Sequence, residues 1–178
     1  MKPAAALLLA ACLAGGSALA GELPGESIPV KSAHVYFSPE QSGAAVITQV
    51  LAGAQSRVII AAFHFTSRPI AESLIAAKRR GVDVTAVLDK SNLTQKKSKG
   101  PMLLEAGVPV LIDSEHRTAH NKVIIVDGRW VVTGSYNFNG HAEHNNAENL
   151  LVLDSPELAA KYEANLRMHA GHAAPLAQ

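Results

Sequence analysis

The sequence is poor in cysteine and in aromatic residues, and its charges nearly balance. Of its 178 residues one is a cysteine, and only 4% are Phe, Trp or Tyr. A single cysteine excludes an internal disulfide and a zinc site built from several thiolates. The formal net charge of +1 excludes binding of polyanions through bulk positive charge. Any contact with nucleic acid must therefore come from a local basic patch.

The only long apolar run lies at the N-terminus. Lys2 precedes the apolar segment Ala4–Ala14, and Ala18-Leu19-Ala20 has the small-x-small pattern of a cleavage site. These features predict that residues 1–20 are a cleaved signal peptide and that the exported chain begins at Gly21, in the periplasm or the medium. No later segment is apolar enough to predict a transmembrane segment.

A lipoprotein anchor is the alternative at the same end of the chain. Leu9-Ala10-Ala11-Cys12 resembles a bacterial lipoprotein cleavage box, but the apolar stretch before it is short, which favours simple cleavage. Removing 20 of the 178 residues would leave 158, with fifteen basic and fifteen acidic side chains and no cysteine. That length fits one domain with a sizeable core.

Strand and helix patterns alternate along the remaining chain. We expect a leader over residues 21–32, a single domain over residues 33–170 and a tail over residues 171–178. Apolar runs predict strands at Ala33–Phe37, Val58–Phe65, Val82–Leu88, Val108–Ile112, Val123–Val126, Trp130–Thr133 and Leu150–Leu153. Caps and amphipathic spacing predict helices at Pro39–Ala54 (with Ser38 as N-cap), Pro69–Arg80, Met102–Ala106 and Pro156–His169. This order predicts a layered α/β/α domain around a mixed, largely parallel central sheet.

Four polar side chains are predicted to converge on one hairpin. Asp127-Gly128 between two apolar runs indicates a two-residue turn, which pairs Val126 with Arg129. In that register His120 lies opposite Ser135, and Lys122 and Asn137 share their face, because side chains alternate along strands. Asp127 has the opposite parity, and a three-residue loop would break the register.

This set of side chains suits a phosphodiester. Lys122 and Asn137 can bind the non-bridging oxygens, Ser135 can add a donor, and His120 can attack phosphorus or transfer a proton. Gly134 would let the backbone approach the bound group. The alternative interpretation is a surface hairpin with incidental polar residues.

The same residues match a known pattern. The sequence H-x-K-x4-D-x6-G-S-x-N resembles the signature of the phospholipase D superfamily, with His120, Lys122, Asp127, Gly134, Ser135 and Asn137 at its fixed positions. Phe63–Thr66, Ala76–Val84 and Ala147–Leu153 resemble segments of its small single-signature bacterial endonucleases. The resemblance covers residues 33–168.

The resemblance implies roles for these residues. His120 would be the nucleophile that forms a phosphohistidine, and the same histidine of a second copy would protonate the leaving oxygen, so a homodimer is expected. Lys122 and Asn137 would hold the phosphate with Ser135 beside them, and Glu148 would orient the histidine. Asp127 belongs to the catalytic signature, although its parity suggests a structural role at the turn. No cofactor is implied.

The signature is shared by enzymes that hydrolyse nucleic acid and by enzymes that hydrolyse lipid. A nuclease is favoured over a phospholipase D acting on lipid, because no amphipathic interfacial helix is evident; a non-catalytic phosphate- or nucleic-acid-binding module is the alternative of another class. Lys96 and Lys97 lie in a basic segment that is either a solvated loop or a phosphate-binding patch.

No metal site is predicted. His116 and His120 are four residues apart, but they lie in a predicted loop and strand, where that spacing does not converge. The sequence also lacks H-E-x-x-H and, after cleavage, any cysteine.

Overall fold

The computed structural model describes residues 25–177, so the predicted signal peptide and Cys12 lie outside the described residues. Within that range the strands are β1 (Ser32–Ser38), β2 (Arg57–Ala62), β3 (Asp83–Asp89), β4 (Val110–Asp113), β5 (Lys122–Val126), β6 (Trp130–Gly134), β7 (Glu148–Asp154) and β8 (Ala174–Pro175). The helices are α1 (Gly43–Ala52), α2 (Arg68–Arg79), α3 (Gly100–Glu105), α4 (Gly140–His144) and α5 (Pro156–His172), and a 3-10 turn spans Lys90–Leu93. None of the described helices is long and apolar enough to cross a membrane.

The strands form one sheet in the order β1-β7-β6-β5-β2-β3-β4-β8. The predicted mixed sheet is confirmed, but most pairings are antiparallel; β2 with β3 and β3 with β4 are the parallel pairs among the described strands. The prediction of a largely parallel sheet was therefore wrong. β5, β6 and β7 form an antiparallel meander, in which a turn joins β5 to β6 and a longer segment that carries α4 joins β6 to β7. Helical crossovers join β2, β3 and β4 in parallel.

Two apolar layers cover the sheet, as the layered α/β/α prediction requires. On one face Ile47 and Leu51 of α1 and Leu74 of α2 join the larger core cluster. On the other face Ala159 and Leu166 of α5 pack with Val123, Ile125 and Val131. Alternate residues of β5 therefore point into different layers, which explains why the whole strand is buried.

Two predicted boundaries differ from the structure. The first helix begins at Gly43 rather than Pro39, because Ser38 ends β1 and Ser42 is the N-cap, accepting a hydrogen bond from Ala45 N at 3.1 Å. The predicted tail, 171–178, contains the end of α5 and β8, which pairs with β4. The C-terminal segment is thus part of the sheet.

Candidate active site

The polar residues of the signature gather at one edge of the sheet. This is the edge at which β2, β3 and β6 end and at which β5 and β7 begin. His120 directly precedes β5, and Lys122 opens it. Ser135 follows β6, and Glu148 opens β7. The antiparallel meander thus brings together residues from three connected strands.

Lys122 is buried against His120. Its Nζ lies 2.9 Å from Nδ1 and 3.1 Å from Nε2 of the imidazole and donates to the His120 carbonyl at 2.9 Å. Lys122 is only 8% exposed, whereas His120 is exposed. Burial lowers the pKa of Lys122, and the Glu148 carboxylate opposes that shift. The site therefore presents a solvent-facing imidazole beside a partly desolvated cation.

Phe63 and His64 form the wall beside this pair. Their rings stack at a centroid distance of 3.8 Å, and the Phe63 ring lies 4.6 Å from that of His120. The Lys122 ammonium is 5.4 Å from the Phe63 centroid, within cation–π range. Burial lowers the pKa of His64, and the Lys122 charge adds to that effect. No site role for Phe63 is predicted from the sequence, because an aromatic residue at the end of an apolar run is typical of core.

Ser135 and Glu148 are joined directly. Ser135 Oγ donates to Glu148 Oε2 at 2.5 Å and accepts from Asn149 N at 3.0 Å. The other carboxylate oxygen accepts from Asn146 Nδ2 at 2.8 Å. The predicted contact of Glu148 with His120 is not found among the described hydrogen bonds. Here Glu148 fixes Ser135 instead, and it acts on Lys122 through charge.

The hairpin register differs by one residue from the prediction. Asp127 and Gly128 do form the turn, both with positive φ, and Arg129 N donates to Val126 O at 3.0 Å. The ladder then pairs Val126 with Trp130, so Arg129 is an extra residue. Strict alternation from that register would turn Ser135 and Asn137 to the other face.

A second irregularity at the end of β6 changes the direction of the chain. The amides of Ser135 and Tyr136 both donate to Asn149 O, at 3.1 and 3.3 Å. Gly134 adopts φ 148°, and a Cβ there would lie 2.3 Å from Asn149 O, so no other residue fits without displacement. Beyond it Tyr136 is buried, and the Asn137 Oδ1 is buried without a hydrogen-bond partner among the described residues.

Asp127 lies at the opposite end of β5 from this group. Its Oδ1 accepts from Ser56 N at 2.8 Å and Arg57 N at 3.0 Å, and its Oδ2 accepts from Gln55 N at 3.0 Å. Burial works against ionisation, but these amide hydrogen bonds outweigh it and hold the pKa of Asp127 below its ordinary value. The structural role suggested by its parity agrees with these contacts, and the structure does not bring Asp127 to the catalytic group.

Lys96 and Lys97 are exposed on a loop at the active-site edge. Asn92 Nδ2 donates to Phe63 O at 2.7 Å, and Lys99 N donates to Phe65 O at 2.9 Å. These bonds dock both ends of the loop on the segment that carries Phe63. The loop that carries Lys96 and Lys97 therefore lies next to the end of β2.

His116 belongs to a different group of side chains from His120. His116 contacts Asp113, His169 and His172 rather than His120, and these four residues are the described group that could hold a metal ion. His120 and Lys122, with Ser135 joined to them through the charge of Glu148, form a candidate site of a different kind, and Asn137 follows Ser135 in the chain. Its cation, hydroxyl and amide can bind an anion, and its exposed imidazole can act as a nucleophile or transfer a proton.

Comparison with known proteins gives concordant matches. The family described as "Cardiolipin synthase, PLD-like domain" matches residues 47–169. Phospholipase D of Rickettsia typhi is 40% identical over 129 residues, covering 72% of this chain and 63% of that protein. Mitochondrial cardiolipin hydrolase of Xenopus laevis is 34% identical over 113 residues, covering 64% of this chain and 54% of that protein. The chain thus matches less than two thirds of the length of these relatives.

Solved structures show the same fold. Nuc from Salmonella typhimurium, described as a phospholipase D family member, superimposes with a TM-score of 0.79 at 34% identity, covering 83% of this chain and 99% of that chain. NucT from Helicobacter pylori gives a TM-score of 0.75 at 24% identity, covering 82% and 99%. Both superpositions span nearly the whole of the solved chain.

Proposed function

Since this chain belongs to the phospholipase D superfamily, we propose that it is a phosphodiesterase that hydrolyses nucleic acid through a phosphohistidine formed on His120. The observation that carries this proposal is the pairing of exposed His120 with buried Lys122, whose Nζ lies 2.9 Å from the imidazole Nδ1. A phosphodiester needs a nucleophile for phosphorus and cationic or polar donors for its non-bridging oxygens. This edge of the sheet supplies both.

The reaction proceeds in two displacements. A ring nitrogen of His120 attacks phosphorus, a P–N bond forms, and the P–O bond to the leaving group breaks. A second imidazole gives that oxygen a proton, then takes one from the water that hydrolyses the phosphohistidine. Lys122 and Asn137 balance the negative charge on phosphorus in both steps, with Ser135 adding a hydroxyl donor. No step requires a metal ion or cofactor.

Two imidazoles require two copies of the chain. A second H-x-K does not occur in the sequence, so the acid must come from His120 of a partner in a two-fold homodimer. Val35 and Phe37, 51% and 54% exposed, give β1 an apolar surface, and Phe37 pairs with Asn149 next to Ser135. This surface supports a contact between copies beside the site.

Mixed dimers test the shared site. Wild-type chain and His120→Asn would be co-expressed in equal amounts and assayed on bis(p-nitrophenyl) phosphate. Activity should fall to about one quarter of the wild-type value, because only wild-type pairs hold two imidazoles. Independent monomers would retain about one half. Full activity in a species shown by sedimentation to be monomeric would contradict the dimer.

Nucleic acid is favoured as the substrate by the position of Lys96 and Lys97 at the active-site edge. Each phosphate contact steepens the fall of log K for DNA binding with log salt concentration by about one unit of slope. Lys96→Ala with Lys97→Ala should therefore weaken DNA binding at all sequences and flatten that slope by about one to two units. Turnover of the small phosphodiester should hardly change, because it needs only the phosphate clamp.

A matched control removes two charges elsewhere. Lys78 and Arg79 end α2 at the opposite edge of the sheet, so Lys78→Ala with Arg79→Ala should leave DNA binding close to wild type. The relatives named phospholipase D and cardiolipin hydrolase make lipid the second candidate. Hydrolysis of phosphatidylcholine or cardiolipin vesicles with plasmid DNA left intact would favour that substrate instead.

Export is proposed from the N-terminal sequence. Intact mass of the protein recovered from the periplasm or medium should correspond to a chain beginning at Gly21. Retention of residues 1–20, or lipid on Cys12, would contradict it.

A further inference from the structure

Four metal-ligating side chains converge where the end of β4 meets the last turn of α5. Asp113 ends β4, His116 lies in the following loop, and His169 and His172 are three residues apart in α5. One ligand atom from each lies within 4.8 Å of the others. Residues three apart share a helix face, so both α5 imidazoles are directed to the same point.

The distances between these atoms fit a metal polyhedron. Asp113 Oδ2 lies 3.0 Å from His116 Nδ1, 3.3 Å from His169 Nδ1 and 3.4 Å from His172 Nε2. In tetrahedral zinc sites, with bonds of about 2.0–2.1 Å, ligand atoms are about 3.3–3.4 Å apart. The three separations from Asp113 differ from that edge length by at most a few tenths of an ångström, and all four ligand atoms lie within 4.8 Å of one another.

One buried nitrogen lacks a hydrogen bond. His169 Nδ1 is 3.3 Å from the Asp113 carboxylate but has no hydrogen-bond partner among the described residues. Asp113 is itself 1% exposed, so its charge is removed from water. A buried unpaired ring nitrogen beside a buried carboxylate costs free energy that a cation between them would offset.

The three rings are inclined rather than stacked. Their planes differ by 53° to 87°, and their centroids are 4.8 to 5.5 Å apart. Imidazoles that share one ion through their lone pairs adopt such an arrangement, because each ring points at the ion from a different direction. Three neutral histidines and one carboxylate form a common donor set for Zn²⁺.

We propose that Asp113, His116, His169 and His172 bind one Zn²⁺ ion in a structural site. Four protein ligands complete a tetrahedron and leave no position for a reacting water. The ion would connect α5 to the loop 114–121, which contains His120. This site goes beyond the phosphodiesterase proposed above, does not depend on it, and departs from the prediction that no metal is bound.

Zinc binding is measured on the whole purified protein. After removal of metal with a chelator and dialysis, titration with zinc chloride should give one bound equivalent per chain. Cobalt(II) should give the visible absorption of a tetrahedral complex. Zinc at about a hundredfold excess over its Kd should raise Tm by about 5–10 °C.

Two double variants with the same number of histidines removed locate the ion. His169→Gln with His172→Gln should lose the zinc equivalent and the rise in Tm. His141 and His144 also lie three apart in a helix, α4, but they belong to no such cluster among residues 25–177. The control, His141→Gln with His144→Gln, should therefore bind zinc as wild type does.

The outcomes separate this proposal from the enzymatic one. Wild type that binds no zinc, or equal binding by the two double variants, would overturn the site; should the α5 variant not fold, the wild-type stoichiometry and cobalt spectrum decide. Hydrolysis of bis(p-nitrophenyl) phosphate by zinc-free protein, at a temperature well below its Tm, should persist. Loss of that activity concerns the proposed function and leaves the zinc stoichiometry unaffected.

Discussion

Replacement of Asp127 distinguishes a structural from a catalytic role for this residue of the signature. The carboxylate accepts hydrogen bonds from three consecutive amides, those of Gln55, Ser56 and Arg57, and so fixes the entry of β2 beside the hairpin turn. Asp127→Asn keeps one acceptor oxygen but loses the charge and places an NH₂ group opposite an amide donor. Asp127→Ala removes every acceptor.

The magnitudes follow from these bonds. A hydrogen bond to a charged group contributes about 1.5–3 kcal/mol and a neutral one about 0.5–1.5 kcal/mol, so Asp127→Asn should cost about 2 kcal/mol. Asp127→Ala should cost about 4 kcal/mol, because three amides lose their acceptor and alanine must adopt φ 55°. This is less than the sum of three charged hydrogen bonds, since Gln55 and Ser56 are exposed and their amides can bind water instead. With a urea m-value of about 2 kcal/mol/M, the midpoints should fall by about 1 M and 2 M.

The pH dependence has a definite sign. The pKa of Asp127 is lowered in the folded state, so its contribution is present above the unfolded pKa of about 3.9 and is lost as pH falls through the folded pKa. The difference between wild type and Asp127→Asn should therefore be constant near neutrality and shrink below about pH 4.

Turnover supplies the contrast. Asp127 and Lys122 occupy opposite ends of β5, so folded Asp127→Asn should keep its kcat on a small phosphodiester within about twofold. An unchanged urea midpoint together with a fall in kcat of about a hundredfold would refute this reasoning and place Asp127 among the catalytic groups.

Two further predictions concern the strand end and the base of α1. Gly134→Ala should lower stability by about 2–3 kcal/mol and reduce turnover, because its Cβ would lie 2.3 Å from Asn149 O at φ 148°; Gly140→Ala, with nothing within 4 Å, should unfold thermally like wild type. Burial favours protonation of Glu143, but hydrogen bonds from Ser42, Tyr136 and Ala44 N lower its pKa. Glu143→Gln should thus cost about 2 kcal/mol near pH 7 in urea unfolding, and this loss should diminish below about pH 4, where the wild-type contribution also disappears. A constant loss down to pH 3 would show that packing, not charge, is responsible.

Local pattern was sufficient to predict most strands but not their pairing. Apolar runs placed β2, β3 and β5 within a few residues, because buried strands impose a composition on the chain. The direction of each strand depends on its connections and on how β1 and β8 close the two edges. Those features depend on contacts between segments that are distant in the sequence. For this reason the alternation of strand and helix patterns predicted a more parallel sheet than the one that forms.

The hairpin that carries the candidate site was predicted in the right place but in the wrong register. The turn was correctly placed at Asp127 and Gly128, but the prediction of a two-residue loop was wrong, because Arg129 adds a third residue that no turn propensity reveals. Gly134 was expected to let the backbone approach the bound substrate. In the structure its missing side chain instead leaves room for the Asn149 carbonyl oxygen. That approach permits the bend through which the chain leaves the strand pattern, so alternation stops applying just before Ser135 and Asn137.

The histidine cluster was missed because its members are distant in sequence. Sequence spacing relates only histidines that are near one another in the chain, such as His116 and His120. The ligand atoms come from the end of β4, from the loop after it and from α5. The same loop joins both sites: Asp89 Oδ2 accepts from Ala119 N at 2.7 Å, and Lys90 Nζ donates to His116 O at 2.8 Å. The position of His120 therefore depends on anchors from β3 on one side and from the cluster on the other. In the reaction proposed above, a histidine held on a loop with these anchors would lose little conformational freedom on attacking phosphorus, which would favour the reaction without any contact between the cluster and the substrate.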